Sequence, residues 1–232
     1  MRSGLVAVDQ ASPRNCNSCG TALATGFLCT HCGRLQPLGS EENYFSVLGF
    51  APRLQLDTVL LEKRFYELSR ALHPDRFTTS DAENRRISTE RMTLINDAYR
   101  NLKTSALRRS YFLKLFGFHS AANQKNPRIP VELAETWFEL QDALAESPTE
   151  AASKLRGFEV ELGEFRARKL QALLAIEAEV DAALDKLDPA QSAGTRSDAI
   201  AVLAEKLLAE VQGETYLDSM TQNMEHMKKL LL

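Results

Sequence analysis

Apolar residues recur at helical spacing in two neighbouring segments of the first half of the chain. In the first segment one apolar stripe occupies positions i, i+4, i+7 and i+11, formed by Leu61, Phe65, Leu68 and Leu72. Asp57 precedes this stripe as a helix N-cap, and Ser80 with Glu83 gives the second segment an S-x-x-E capping box. The second stripe runs from Ile87 to Leu102. Because the turn between them is short and polar, we expect an antiparallel helical hairpin whose tip faces water.

Helical spacing continues through most of the remaining chain. Leu107, Tyr111 and Leu115 share one stripe of a further short helix, and Gly117 is placed to end it. Beyond a loop that reaches Pro130, the spacing predicts three longer amphipathic helices with short connections. Their apolar stripes run, in chain order, over Leu133 to Leu144, Phe158 to Leu187 and Ile200 to Leu231. Three such helices imply an antiparallel bundle, so the predicted fold class is all-α.

All four cysteines fall near the N-terminus in two C-x-x-C pairs, Cys16 with Cys19 and Cys29 with Cys32. Each pair can form a knuckle that presents two sulfurs to one metal ion, and the glycine after each pair permits the tight turn. Four thiolates suit one structural Zn²⁺ in a closed tetrahedron, and a segment with almost no apolar core would fold on binding it. Disulfides, an iron–sulfur site and a redox-active pair are the alternatives. We expect a reducing compartment, which argues against disulfides.

These patterns divide the chain into four parts. We expect residues 1–15 to be disordered and residues 16–36 to form a small tetracysteine segment of zinc-ribbon type. Residues 41–118 would form the helical hairpin domain, and residues 130–232 the C-terminal three-helix bundle.

The composition is that of a soluble globular protein and excludes several functions. Hydrophobic residues make up 44% and charged residues 25% of the chain, with a net charge of −3. The acidic balance argues against nucleic acid as the main partner, and the apolar runs are too short to span a bilayer, so we expect no membrane partner. We find no Walker A loop, catalytic triad or open metal site, and therefore predict a protein that is not an enzyme and binds no ATP. We expect a bacterial cytoplasmic protein, with the mitochondrial matrix as the alternative.

The tripeptide His73-Pro74-Asp75 between two such helices resembles the J-domain, the module that stimulates the ATPase of DnaK-type chaperones. The preceding segment, 44–50, is similar to the short first helix of that domain. The resemblance implies that the turn docks on the chaperone, where Asp75 would pair with an arginine and His73 would hold the turn. Basic residues near the turn would join the same contact, namely Lys63, Arg64, Arg70 and Arg76.

A J-domain fused to a C-terminal helical domain resembles the HscB/Jac family of iron–sulfur cluster co-chaperones, from about residue 43 onward. The motifs that carry the resemblance include Asn43-Tyr44-Phe45, Gln55-Leu56-Asp57, Ile95-Asn96-Asp97-Ala98-Tyr99 and the segment 111–118. Some members also carry an N-terminal pair of C-x-x-C motifs, although the gap between the pairs is shorter here.

In that family the C-terminal domain binds the IscU-type scaffold on which clusters are assembled. The resemblance therefore implies that this chain delivers such a scaffold to a DnaK/HscA-type chaperone. Segment matching places the scaffold contacts at Leu133, Ala134, Trp137, Phe138, Asp142 and Tyr216. The family has large apolar residues around Ala134 and Glu135, where this chain has small or charged ones. Trp137 and Phe138 point about 100° apart, so they cannot both face one core fully, and the pattern does not decide which is exposed.

Three other functions are less favoured by the sequence. A general J-protein for unfolded clients would be expected to carry a Gly/Phe-rich linker and β-rich client domains. A thiol oxidoreductase using the C-x-x-C pairs would need a thioredoxin-like βαβ context, and strand signals are almost absent outside the cysteine segment. A zinc-ribbon nucleic-acid binder is disfavoured by the acidic net charge.

Overall fold

A computed structural model describes residues 15–23, 27–118, 130–186, 198–211 and 214–231. Within these residues the regular elements are helices, and only two isolated β-bridges occur, so the all-α fold class is confirmed. The chain forms two compact units, with the first ending at Phe116 and the second beginning at Gly117; a short segment from Leu184 also groups with the first. The expected disorder of residues 1–15 concerns residues that lie, except for Asn15, outside the described part.

The first unit is built around one long helix. Its helices are α1 (Tyr44–Val47), α2 (Thr58–Leu72), α3 (Ala82–Lys103) and α4 (Ser105–Leu115), with a 3₁₀ turn (Pro74–Phe77) between α2 and α3. Helix α3 packs against all the others and against the 3₁₀ turn. The side chains that fill this core are fully buried and include Phe45, Leu48, Leu61, Leu72, Ala98, Leu102 and Phe112. The predicted hairpin of α2 and α3 therefore forms, with its tip at the His-Pro-Asp tripeptide.

The helix starts of the hairpin differ in one respect from the sequence prediction. Asp57 caps α2 as predicted, because its carboxylate accepts from the amides of residues 59 and 60. The capping box predicted from Ser80 and Glu83 is wrong, since α3 is capped one residue later by Asp81. The Asp81 carboxylate accepts the amide of Asn84 at 2.8 Å and places a full negative charge at the helix N-terminus. Glu83 instead pairs with the guanidinium of Arg86 at 2.6 Å.

The second unit contains helices α5 (Val131–Glu146), α6 (Pro148–Leu184), α7 (Asp198–Val211) and α8 (Glu214–Leu231). Helices α5, α6 and α8 share one core of buried side chains, which includes Leu133, Trp137, Leu140, Leu155, Phe158, Leu162, Leu217, Met220 and Met224. The predicted third helix is thus two helices, and residues 212–213 between them lie outside the described part. None of the described helices is long and apolar enough to cross a membrane.

Candidate functional site

The turn between α2 and α3 is exposed and is held by its own backbone. Asp75 donates its amide to Nδ1 of His73 across 3.3 Å. Pro74 occupies the first position of the 3₁₀ turn, where its fixed φ suits the helix and no donor is needed. The Asp75 side chain is 85% exposed. The turn therefore presents an accessible negative charge on a defined backbone.

Of the four basic residues predicted for chaperone contact, Arg70 and Arg76 lie next to this turn, whereas Lys63 and Arg64 lie in the first half of α2. Lys63 and Arg70 are both exposed and lie seven residues apart on α2, so they share one face of the helix. Arg64 is half-buried and pairs with Glu67 at 3.2 Å. Arg76 lies in the turn and donates to the carbonyl oxygen of Arg70 across 3.4 Å. The structure thus places two exposed basic residues, Arg70 and Arg76, next to the turn.

On α5 the structure decides which of the two adjacent aromatic residues is exposed. Phe138 is 58% exposed, whereas Trp137 is 4% exposed and packs on Phe158 with ring centroids 5.2 Å apart. Five exposed carboxylates line α5 to one side of Phe138, namely those of Glu132, Glu135, Glu139, Asp142 and Glu146. This combination of one exposed ring and several acids could bind an apolar patch rimmed by basic groups.

Two of the remaining residues predicted for scaffold contact, Leu133 and Trp137, do not share this surface. Leu133 and Trp137 lie in the bundle core, so they hold α5 in place and do not offer a side chain to a partner. Their role as scaffold contacts stays a prediction, and their burial favours a supporting role in the core that α5 shares with α6 and α8. Ala134 is partly exposed, and Tyr216 is partly buried against the same core.

The four cysteine sulfurs form one cluster in the first unit, all within 4.8 Å of one another. Cys16 Sγ lies 3.6 Å from Cys32 Sγ, and Cys19 Sγ lies 3.6 Å from Cys29 Sγ. The four are free thiols, since these separations are far beyond the length of about 2.05 Å of a disulfide. A tetrahedron of ligands about 2.3 Å from one ion has edges of about 3.8 Å, so the arrangement fits a metal ion closely.

The two knuckles are built alike, thirteen residues apart. In each knuckle the carbonyl oxygen of the first cysteine accepts the amide of the glycine that follows the pair, at 2.9 Å. These glycines have positive φ values, 73° at Gly20 and 70° at Gly33. The predicted need for glycine at both turns is confirmed. The hydrogen bond between Cys19 Sγ and Thr21 Oγ1, 3.4 Å apart, lowers the pKa of the Cys19 thiol to about 5.

No protein-family model matches the chain. It is 33% identical over 150 residues to the co-chaperone protein HscB homolog of Shewanella woodyi, a match that covers 62% of this chain and 86% of that protein. The chain belongs to the HscB family of co-chaperones. It is also 33% identical over 141 residues to the mouse iron-sulfur cluster co-chaperone protein HscB, which covers 59% of this chain and 60% of the mouse protein. These relatives are bacterial and mammalian, so both compartments considered from the sequence remain predictions.

The fold agrees with this membership. The crystal structure of human co-chaperone protein HscB superimposes with a TM-score of 0.63 and 22% sequence identity, over 94% of this chain and all of the human chain. This chain combines a tetracysteine cluster with the helical hairpin and the C-terminal helices.

Sequence reasoning missed the residues that attach the cysteine segment to the hairpin. Gln36 and Arg91 are each 5% exposed, and the guanidinium Nε of Arg91 donates to the carbonyl oxygen of Gln36 across 2.6 Å. Arg91 also pairs with both carboxylate oxygens of Glu42 at 3.2 Å. A signal was available on α3, because Arg91 lies four residues before Ile95, in register with the apolar stripe.

Proposed function

We propose that this chain stimulates the ATPase of a DnaK/HscA-type chaperone through its His-Pro-Asp turn and delivers an IscU-type iron–sulfur scaffold to that chaperone. The observation that carries the proposal is the exposed turn, held by Pro74 and by the hydrogen bond from the Asp75 amide to His73, in a chain of the HscB family.

The turn would act by differential affinity. The exposed carboxylate of Asp75 would pair with an arginine of the chaperone in its ATP-bound form, since guanidinium and carboxylate groups form strong, directed hydrogen bonds. Pro74 and His73 restrict the backbone, so little conformational entropy is lost on docking. A chaperone conformation that this contact favours gains population, and hydrolysis rises if that conformation is the competent one. The hydrolysis itself takes place on the chaperone.

The basic residues on α2 and in the turn would guide the approach. Lys63, Arg70 and Arg76 are exposed and would attract an acidic chaperone surface, which raises the association rate more than the final affinity. The effect of such surface charges falls as ionic strength rises, because the Debye length shortens to about 8 Å at physiological salt. Arg64 would contribute less, since Glu67 already neutralises it.

The C-terminal unit would bind the scaffold at α5. Phe138 offers an exposed ring for an apolar pocket, and Asp142 belongs to the acids to one side of it that would contact basic groups of the scaffold. Ala134 lies one turn before Phe138 on the same helix and leaves room beside the ring. Tyr216 would contribute through the part of its side chain that the core leaves uncovered.

The four cysteines would hold one structural Zn²⁺. Their spacing, their free thiols and the edge lengths of 3.6 Å support a closed tetrathiolate site. Bound metal would supply folding energy to a segment that has little apolar core. Redox chemistry of the C-x-x-C pairs is the other candidate, because Cys19 and Cys32 are exposed while the other two cysteines are buried.

The experiment that tests the proposal is steady-state ATP turnover by the cognate chaperone, with and without its scaffold, for the wild-type chain and the His73→Gln variant. We expect wild-type stimulation that increases with scaffold and is lost in the variant. His226→Gln is the matched control, because it makes the same change at an exposed histidine of α8 and should keep full stimulation.

Each deviation from this result has a definite meaning. Stimulation that does not respond to scaffold would leave a J-protein with a different client. No stimulation by the wild-type chain would refute the chaperone proposal as a whole.

A further inference from the structure

One face of α3 carries three buried polar side chains at helical spacing, Asn84, Ser88 and Arg91, which are 8%, 0% and 5% exposed. Positions i, i+4 and i+7 lie on the same side of a helix. Buried polar groups are costly unless they are hydrogen-bonded, so their partners show what the face is built to hold. All three use their side chains to bind main-chain atoms outside α3.

The two outer residues of this face bind the segment that follows the second cysteine knuckle. Asn84 Oδ1 accepts the amide of Leu35 at 3.1 Å, in a buried hydrogen bond. Arg91 donates from Nε to the carbonyl oxygen of Gln36 at 2.6 Å and from Nη2 to that of Pro37 at 3.0 Å. Three consecutive residues that follow the second knuckle, Leu35, Gln36 and Pro37, are therefore held by side chains of α3.

Gln36 connects this attachment to the cysteine cluster itself. Its Nε2 donates to Cys16 Sγ across 3.3 Å, and its Oε1 accepts the amide of Asn17, inside the first knuckle, across 2.9 Å. The same Nε2 also lies 3.2 Å from the carbonyl oxygen of Arg34 in the second knuckle. One buried side chain thus contacts both knuckles, while its own main chain is held by Arg91.

We infer that Gln36 is a positioning residue of the metal site and that, through Arg91 and Asn84, metal binding is coupled to the stability of α3. A donor to a ligand sulfur stabilises the thiolate and fixes its direction, which is how outer groups tune metal affinity. Without metal the knuckles lose the ion that holds them. The polar groups of Asn84 and Arg91 then lose buried partners that the cysteine segment supplies. Coupling of this kind is reciprocal, so a change at α3 must also alter metal affinity.

The coupling involves the part of α3 that also supports the turn. Between Asn84 and Arg91, Ser88 donates from Oγ to the carbonyl oxygen of Leu72 at 2.7 Å. Leu72 is the last residue of α2, directly before His73. The stretch of α3 that the metal segment stabilises is therefore the stretch that holds the end of α2 beside the chaperone-docking turn.

The first test measures Zn²⁺ affinity of the full chain by competition with a chromophoric chelator. We expect Gln36→Leu to weaken Zn²⁺ binding about 10- to 100-fold, the range found for outer-shell groups of metal sites. Gln171→Leu is the matched control. It makes the same change at an exposed glutamine of α6, in the second unit, and should change affinity less than about twofold. Equal affinity of Gln36→Leu and wild type would overturn the role of Gln36.

The second test needs no variant, so it remains decisive if Gln36→Leu fails to fold. Hydrogen exchange of the wild-type chain is compared with Zn²⁺ bound and after chelation. We expect amides of 84–91 to exchange at least about tenfold faster without metal, because local protection follows the free energy of opening. Amides of 133–162, in the core of the second unit, are the internal control and should not change.

The inference rests on the proposed metal site, and the two can fail separately. A wild-type chain that binds no Zn²⁺ would refute the site itself. A chain that binds Zn²⁺, but whose α3 exchanges equally with and without it, would keep the site and overturn the coupling.

Discussion

Phe138 and Trp137 are adjacent in sequence, yet the structure assigns them different tasks, and this difference can be measured. Phe138→Ala removes a ring that is 58% exposed. A phenylalanine buries roughly 150–250 Å² in an interface or core, so about 100 Å² of exposed ring is available to a partner. At about 25 cal/mol per Å², full burial of that area contributes between 2 and 3 kcal/mol, or about 30- to 150-fold in the scaffold dissociation constant.

The two variants should separate binding from stability. Phe138→Ala should change the free energy of unfolding by no more than about 0.5 kcal/mol, since exposed side chains contribute little to folding. Trp137→Ala should lower it by about 3–5 kcal/mol, because the indole is buried against Phe158 and its removal leaves a cavity.

The assay is calorimetric titration with an IscU-type scaffold, together with chemical unfolding of the C-terminal unit. Trp137 is the single tryptophan of the chain, so its fluorescence in the Phe138→Ala variant reports on that unit alone. Leu170→Ala on α6 is the control, since Leu170 is 53% exposed and lies on a different helix from the proposed contact. The reasoning is refuted if Phe138→Ala leaves the dissociation constant unchanged, or if Leu170→Ala weakens binding equally.

Two further predictions concern the buried face of α3. Ser88→Ala should lower the free energy of unfolding of the first unit by about 1–3 kcal/mol, because it leaves the carbonyl oxygen of Leu72 without its buried donor. Thr89→Ala is the control, since it removes only an exposed hydrogen bond within α3 and should cost much less. Urea unfolding of both variants measures the difference. Arg91→Met should cost about 3–5 kcal/mol, since it removes the guanidinium that pairs with the largely buried carboxylate of Glu42. Circular dichroism during urea unfolding measures this loss of stability. The double variant Arg91→Met, Glu42→Gln should recover part of the loss. No recovery would mean that the lost ion pair is not the cause.

Features set by neighbouring residues were predictable from the sequence. The start of α2 follows from Asp57, whose carboxylate reaches amides only two and three residues away. The cysteine knuckles follow from the C-x-x-C spacing and from Gly20 and Gly33, because each knuckle closes within six residues. The His-Pro-Asp turn could be placed between two helices for the same reason, since both flanking stripes are local patterns.

Features that depend on distant packing were not predictable in this way. Periodicity shows that Trp137 and Phe138 face different directions, but the direction of the core is set by α6 and α8, which lie far away in sequence. The choice of Asp81 over Ser80 as the cap of α3 is similarly underdetermined, because both residue types cap helices well. Asp81 also pairs with Arg34, 47 residues earlier, and this contact favours the later start.

The buried face of α3 shows how a long-range contact can leave a local trace. Spacings of four and three residues relate Asn84, Ser88, Arg91, Ile95, Ala98 and Leu102, and all six are buried on one stripe. The C-terminal half of the stripe is apolar and packs in the core of the first unit. The N-terminal half is polar and binds main-chain atoms 49 and 55 residues earlier in the chain. If nothing packed over the polar end of this stripe, the side chains there would be exposed to water. Here burial continues, because the cysteine segment supplies the hydrogen bonds that water would otherwise provide. Polar residues that stay in register with an apolar stripe therefore indicate a second segment packed on the same helix, and in this chain that segment carries the cysteine cluster.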